Sequence, residues 1–454
     1  MRRTIQIELN ELSPKLIDEF IAAGELPNFR RLRDSSEIFI TDASDETSLE
    51  PWTQWPTLHT GIPDREHGIM HLGEANRVAG RGIAHELAAA GLRVGVFGTM
   101  NMDYGQLDGF VVPDPWNPDA TPHPEGLRAF TNFVGSAVQE NSANRLDKRA
   151  ALPFLSFLVR HGLTVSTAKR AIRQLVSERR DSGLKWRRSL VLDAISYDVF
   201  HSLVRRYNVD FATFFSNSTA HFQHYFWRNF RPNEFAVPPP DEDHPSLADA
   251  VLDGYRNYDY FLGRFMSDFP DYRLILATAL SQEPWDTTKC MYRPKNFDTL
   301  LKLLGLDISR VSVAPVMAEE FLLSFADSRV AEDALTRLSQ SKIGGAPLFR
   351  VVPSDELTVK VGCTVNEWHQ SQPTVTLPDG GRLPFEELFT RIHTLRSGRH
   401  HPDGCFWVQS STPRVAEEKI PLIAVAPTVL ELFGIKPPKY MRGAFVNISA
   451  VQDN

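Results

Sequence analysis

Apolar and polar residues alternate at period two from Thr4 to Leu9, and apolar residues then recur at spacings of three and four. Period two sends successive side chains to opposite faces of a strand, whereas the longer spacing gathers them on one side of a helix. Thr4–Leu9 therefore reads as a strand. Ser13 offers a helix N-cap, Pro14 suits the first helical position because its missing N–H has no partner there, and Gly24 ends the helix. The same reasoning predicts strands at Glu37–Thr41, Arg93–Phe97, Val209–Phe215, Arg273–Ala277, Leu348–Val352 and Cys405–Val408. It predicts helices at Gly82–Ala90, Ala220–Phe230, Leu247–Phe269, Ala318–Phe325, Phe385–Ile392 and Ala426–Phe433. Strands alternating with helices from the first residues onward give an α/β class, a mostly parallel sheet covered by helices on both faces.

Two Pro- and Asp-rich stretches, 113–123 and 232–245, break this rhythm and read as extended surface connections. Between them, residues 124–206 read as wholly helical and strongly basic. From Arg145 to Arg206 there are 14 Lys/Arg against 5 Asp/Glu, a local charge of +9 in a chain of net charge −7. The charge is segregated. The segment reads either as an inserted lid (124–206) that covers a pocket and draws in an anionic substrate, or as a solvated helical face paired with the acidic remainder. Residues 1–454 are expected to form a single domain around it, because the strands on either side of the insertion need each other to complete one sheet.

Composition narrows the function classes. With 42% hydrophobic and 23% charged residues the chain can bury a large core, and three widely spaced cysteines (Cys290, Cys363, Cys405) cannot staple it as a disulfide scaffold. No stretch approaches the roughly 18 apolar residues of a membrane span, and the opening residues alternate where a signal peptide would be apolar. A cytoplasmic protein with no integral membrane segment is expected. The acidic balance argues against nucleic acid as a partner.

Several segments, read in order, resemble the alkaline phosphatase superfamily, in particular its type I phosphodiesterase/nucleotide pyrophosphatase (sulfatase-like) branch. They are Asn10-Glu11-Leu12-Ser13-Pro14 with Gly24-Glu25-Leu26-Pro27-Asn28-Phe29, then Trp55-Pro56-Thr57-Leu58-His59-Thr60-Gly61-Ile62-Pro63 with His67-Gly68-Ile69. Asn217-Ser218-Thr219-Ala220-His221 and Ser397-Gly398-Arg399-His400 follow, and Ala426-Pro427-Thr428 with Met441-Arg442-Gly443 closes the series. The resemblance implies a three-layer α/β/α sandwich of alkaline-phosphatase type, with two metal ions and a Thr or Ser nucleophile attacking a phosphorus or sulfur ester at the strand ends. Metals serve that chemistry by activating the nucleophile and neutralising charge on the transferring group.

Matched residue by residue, the sequence departs from that pattern. The position of the first carboxylate is Asn10, the nucleophile position is Pro51, the Asp before the first His is Asn217, and an Asp-His pair is replaced by Ala279-Leu280. His221 and His400 remain as ligands. The expectation is therefore at most one divalent metal, Zn or Mn, on His221, His400 and Asn217, with Asn10 and Glu11 nearby, and no two-metal centre. Period two puts Glu8 and Asn10 on one face and leaves Glu11 beyond the strand end, free to swing inward; Gln282 and Glu283 lie just past the lost pair. Glu50 or Thr53 would replace the nucleophile.

Around these, Trp52, Trp55, His59 and His67 are candidates for substrate binding, with burial of either Trp and a hydrogen-bonding role for His67 as the alternatives. His221 and His224, three apart on one helix, allow a two-His clamp or ordinary packing, and Phe222, Tyr225 and Phe226 have core spacing. The expected function is a divergent phosphodiesterase- or phosphatase-like hydrolase acting on a small sugar-, nucleotide- or lipid-linked phosphoester. The alternative is a non-catalytic relative that binds an anionic ligand or a partner.

Overall fold

The computed structural model describes residues 2–117, 120–139, 148–315, 319–366, 373–392 and 395–449. Its central strands are β1 (Thr4–Leu9), β2 (Ser36–Asp42), β3 (Val94–Phe97), β4 (Gly109–Val112), β5 (Phe211–Ser216) and β6 (Arg273–Ala277). With Asp403–Gln409 and two short edge pieces they form a nine-stranded sheet. From one edge the order is Arg414–Val415, β2, Asp403–Gln409, β6, β1, β5, β3, β4. β1 runs parallel to β5 and β6, and Asp403–Gln409 is antiparallel to both β2 and β6. The sheet thus joins the first residues of the chain to the last strand.

Alternation along the strands divides the core into two layers. Ile5, Ile7 and Leu9 of β1, Ala212 and Phe214 of β5, and Leu274 and Leu276 of β6 face one side. There they meet α1 (Pro14–Ala22), α2 (Pro27–Arg33) and the helices Arg188–Tyr207, Ser218–Phe230 and Ala250–Asp268. Phe211, Ile275 and Ala277 face the other side, against α3 (Pro51–Thr60), Ile83–Ala89 and Val425–Leu432. The result is the three-layer α/β/α sandwich. Each fully buried Ile or Leu contributes roughly 2 kcal/mol of apolar transfer to it.

One surface of β1 departs from this logic. Thr4, Gln6, Glu8 and Asn10 all point to the second side and all are buried. A buried polar row is tolerated only where each group finds a partner. Glu8 accepts hydrogen bonds from Gln6 (2.9 Å) and from Thr99 Oγ1 (2.8 Å), and its Oε1 lies 2.8 Å from His59 Nε2.

Some expected elements differ. The helix expected over Ala318–Phe325 is, over Phe321–Phe325, a strand with alternating burial; Ala318 itself lies outside the described residues. The preceding acidic residues suggest a helix, but Phe321, Leu323 and Phe325 pack into a separate small core. That core is built on an antiparallel sheet of Val311–Pro315, Phe321–Phe325, Phe349–Pro353 and Thr358–Cys363. The helix expected over Phe385–Ile392 lasts one turn, Phe385–Leu388, after which Phe389–Ile392 pairs with Met291–Pro294. Within the basic segment, Arg188–Tyr207 belongs to the layer over the sheet, with Tyr197, Phe200, Leu203 and Val204 in the main core. Lys148–Arg160 and Val165–Arg180 lie on the chain before it. The part of the helical expectation that falls on 140–147 lies outside the described residues.

Candidate functional site

In open α/β sheets, sites form beyond the C-terminal ends of parallel strands. Here the chain leaves β1 at Asn10-Glu11, β5 at Asn217 and β6 at Thr278, and the three exits adjoin because β5, β1 and β6 are neighbours. Glu11 sits at φ +59°, in the left-handed region that a residue other than glycine enters only at a cost of about 1 kcal/mol or more. Gln223 Nε2 holds its carbonyl at 2.7 Å, and Glu11 forms a parallel bridge with Ser281. The turn sends the Glu11 side chain inward, where it is 2% exposed.

Three ligand atoms converge there. Glu11, His224 and His400 each offer one, all within 4.8 Å of one another. His224 comes from the second turn of Ser218–Phe230, and its Nε2 lies 2.9 Å from Glu11 Oε2. His400 comes from the strand Gly398–His401, where it pairs in register with Gln282, and its Nε2 lies 3.5 Å from the same oxygen. Strand and helix can approach this closely because residue 398 is glycine; a Cβ there would lie 2.5 Å from Gln223 O.

The donor set fits one divalent cation. His224 Nδ1 lies 3.2 Å from Gly398 O; with the ring's proton on Nδ1, Nε2 would turn its lone pair toward the Glu11 carboxylate, where a cation could sit between them. His400 Nε2 is buried and makes no hydrogen bond among the described residues. Two imidazoles and a carboxylate suit Zn or Mn.

Without a cation, the electrostatics pair Glu11 with the two imidazoles. Burial opposes ionisation of Glu11, but the His224 and His400 imidazoles outweigh it and hold the carboxyl well below the usual carboxylate range. Burial lowers the pKa of His224, keeping the ring neutral, with Glu11 acting in the opposite direction. For His400 burial also favours the neutral ring, yet Glu11 and Glu50 prevail and raise it. Burial raises the Glu50 carboxyl against the pull of His400.

Asn10 does not join this set as a ligand. Its Nδ2 donates to Glu11 Oε1 (2.8 Å) and Asn217 Oδ1 (2.7 Å), and its Oδ1 accepts from Trp55 Nε1 (2.7 Å). Asn10 and Asn217, where the family resemblance would place carboxylates, thus form a neutral amide pair that closes on itself. Gln282 donates to Glu11 Oε2 and to Ala220 O. Among the described residues, no further His, Cys, Asp or Glu joins Glu11, His224 and His400 in that group.

The remaining candidates separate by exposure. Glu50, the N-cap residue of α3, keeps its side chain 40% exposed and its Oε2 lies 3.5 Å from His400 Nδ1. Thr53 is fully buried and donates to Ile69 O, which removes it from contact with a substrate. Trp55 is buried on Asn10, and Trp52 donates to Met70 O. His59 is buried between Glu8 and Tyr104 OH, 3.4 Å from its Nδ1. His67 Nε2 lies 3.0 Å from Thr57 Oγ1, its Nδ1 accepts from Ile69 N, and burial lowers its pKa to about 4, so it is neutral. Thr53, Trp55, His59 and His67 therefore hold the loop around α3 and do not reach the open rim. The His221 ring packs among Phe222, Tyr225 and Phe226, and it is His224, one turn on, that converges with Glu11 and His400.

Arg396 was not singled out from the sequence. Its Nη2 lies 3.4 Å from His224 Nδ1, its guanidinium stacks on Trp285, and its charge acts on His224, His400 and Glu50. No motif marks it, since only the turn before Gly398 brings it to the site.

No protein-family model and no curated protein matches the chain. Among solved structures it is similar to murine ectonucleotide pyrophosphatase/phosphodiesterase 5, at 10% identity over 98% of both chains and a TM-score of 0.42. It is likewise similar to the alkaline phosphatase PafA, at 11% identity over 98% of both chains and a TM-score of 0.48. A third is the phosphonoacetate hydrolase of Sinorhizobium meliloti 1021, solved with phosphonoformate, at 12% identity over 95% of this chain and 96% of that one, with a TM-score of 0.41.

Proposed function

We propose that the chain is a divergent phosphoester hydrolase of the alkaline phosphatase superfamily, of phosphodiesterase/nucleotide pyrophosphatase type, working with a single divalent cation. The observation that carries this reading is the convergence of Glu11, His224 and His400 where β1, β5 and β6 end. The motif segments beginning at Asn10 and Ser397 supply Glu11 and His400, whereas His224 lies three residues beyond the segment that ends at His221. When bound there, Zn or Mn would polarise a phosphoryl oxygen and lower the pKa of a water.

The chain's own residues divide the remaining work. Arg396 offers the cation that orients an anionic ester oxygen. Glu50, at the rim beside His400, is placed to take a proton from the attacking water and return it to the leaving oxygen. The amide pair Asn10 and Asn217, fixed by Trp55, keeps the adjoining position neutral. The substrate class is a small sugar-, nucleotide- or lipid-linked phosphoester, and the three free, buried cysteines suit a reducing cytoplasm.

A second reading rests on Glu11 itself, which already accepts hydrogen bonds from Asn10 and Gln282 and so can close the site without a metal. In that case the protein binds an anion and does not hydrolyse it. The deciding experiment assays aryl phosphodiesters and nucleotide, sugar and lipid phosphoesters with added Zn or Mn. Turnover lost in His224→Ala and Glu50→Gln supports the hydrolase. Phosphate binding without turnover or metal supports the second reading.

A further inference from the structure

The helix Val165–Arg180 is oriented with its polar side inward. Thr167, Gln174 and Glu178 are buried, while Val165, Ile172, Leu175 and Val176 are 44 to 72% exposed. Specific partners hold that orientation. Glu178 takes two hydrogen bonds of 2.8 Å from Arg188, Gln174 Nε2 donates to Leu184 O, and Arg170 donates to Asn257 Oδ1 at 2.7 Å. At its start, the backbone N–H and the hydroxyl of Thr164 both bond Asp198 Oδ2. The preceding helix adds Leu155 and Val159, one turn apart and both more than half exposed.

These two helices hold six of the fourteen large hydrophobic side chains exposed among the described residues. Lys169, Arg173, Arg179 and Arg180 flank the apolar ridge on the outward side and make no ion pair among the described residues. Glu178 is the single acidic residue from 148 to 180, and it is buried.

We propose that this face docks on an anionic lipid bilayer, its apolar ridge entering the acyl boundary and its Lys/Arg side chains reaching up to lipid phosphates. Charge complementarity decides the occupant. An outward face of unpaired cations without an exposed acid repels a second copy of itself, whereas it matches anionic headgroups over an apolar interior. No described helix is long and apolar enough to cross a membrane, so the proposed contact is with the bilayer surface. Contact at this face is independent of the reaction proposed above.

The test is co-sedimentation of the full chain with phosphatidylcholine vesicles, with or without about 30 mol% phosphatidylglycerol. Binding is expected only to the anionic vesicles, with release as salt rises from about 0.1 to about 0.5 M. A Lys169→Gln, Arg173→Gln, Arg179→Gln variant should bind roughly a hundred-fold more weakly, from about five-fold per cation. Ile172→Gln with Val176→Gln should also abolish binding. Should that variant fail to fold, Ile172→Cys labelled with a polarity-sensitive dye replaces it, since the native cysteines are buried. Its emission should shift to the blue on anionic vesicles. The proposal is overturned by absence of anionic-vesicle binding, by binding unchanged in the charge variant, or by binding without a dye shift. A vesicle-free dimer abolished by Ile172→Gln with Val176→Gln would equally overturn it.

Discussion

Replacing Asn10 by aspartate tests whether neutral amides, and not a cation, hold the strand-end site together. Asn10 Nδ2 donates to Glu11 Oε1 at 2.8 Å and to Asn217 Oδ1 at 2.7 Å, in a position 1% exposed. Asn10→Asp turns both contacts into opposed acceptors. Each buried bond left unmade costs about 1–3 kcal/mol, although Asn217 can turn its amide over and recover one. The new carboxylate also faces Glu11; two unit charges about 4 Å apart repel by about 4 kcal/mol at an effective dielectric near 20, unless one takes up a proton. A net destabilisation of about 3–5 kcal/mol follows, which for a chain of this length lowers the thermal midpoint by about 3–5 °C. The assay is thermal unfolding in EDTA and with Zn or Mn. Added cation should stabilise Asn10→Asp by about 3 kcal/mol at a hundred-fold excess over its own Kd, and more than it stabilises the wild type at the same concentration. In a Glu11→Gln background most of the cost of Asn10→Asp should vanish. An unchanged midpoint in EDTA, or a cost undiminished by Glu11→Gln, would refute the reasoning.

Metal analysis of protein purified without chelator should give at most one divalent ion per chain; His224→Ala with His400→Ala should abolish it and His221→Ala should leave it. Two ions per chain would contradict the amide-pair geometry. Glu50→Gln should lower turnover about 10²- to 10⁴-fold with metal content unchanged, as loss of a general acid–base does, and a normal rate would remove Glu50 from the reaction. Arg396→Gln should weaken inorganic phosphate binding about 10- to 100-fold by calorimetry, the worth of a charge-assisted hydrogen bond. Burial raises the Asp114 carboxyl from 3.8 to about 7. A group whose pKa rises on folding binds its proton more tightly in the native state, so its contribution to stability is full below the unfolded value and lost as pH rises toward about 7. Asp114→Asn should therefore flatten the fall in unfolding free energy between those limits, measured by urea titration; an unaltered pH slope would show that Asp114 is ionised throughout.

The sandwich was legible because strand and helix periods are local properties. Thr4–Leu9 and Arg273–Ala277 agree with the structure to the residue, since period-two alternation in the first and an apolar run in the second each declare a strand locally. Phe321–Phe325 misled because its pattern is short and the core that decides its conformation comes from residues far along the chain, such as Val359 and Val361. The site was half legible for the same reason. Glu11 and His400 carry family-like neighbours, but the choice of His224 over His221 depends on how Ser218–Phe230 is turned about its axis. Arg396 reaches the site only through tertiary packing.

Most polar side chains at the strand ends are partnered by one another, which argues for a maintained site, since each buried polar group left without a partner costs about 1–3 kcal/mol. Asn10 has three hydrogen-bond partners, Gln282 Nε2 reaches Glu11 and Ala220 O, and Trp55 turns its N–H to Asn10, while Gln282 Oε1 and His400 Nε2 are buried with no hydrogen-bond partner among the described residues. The carboxylate at the centre, Glu11, occupies a left-handed backbone position that costs folding energy, and no packing gain requires a charge there. Maintained strain around two imidazoles is what a chain retains when the charge is used. Glu11→Gln should therefore lose bound metal while remaining as stable as the wild type or gaining stability in EDTA, because a buried charge has been removed. A variant that instead unfolds easily and binds as before would assign Glu11 a purely structural role.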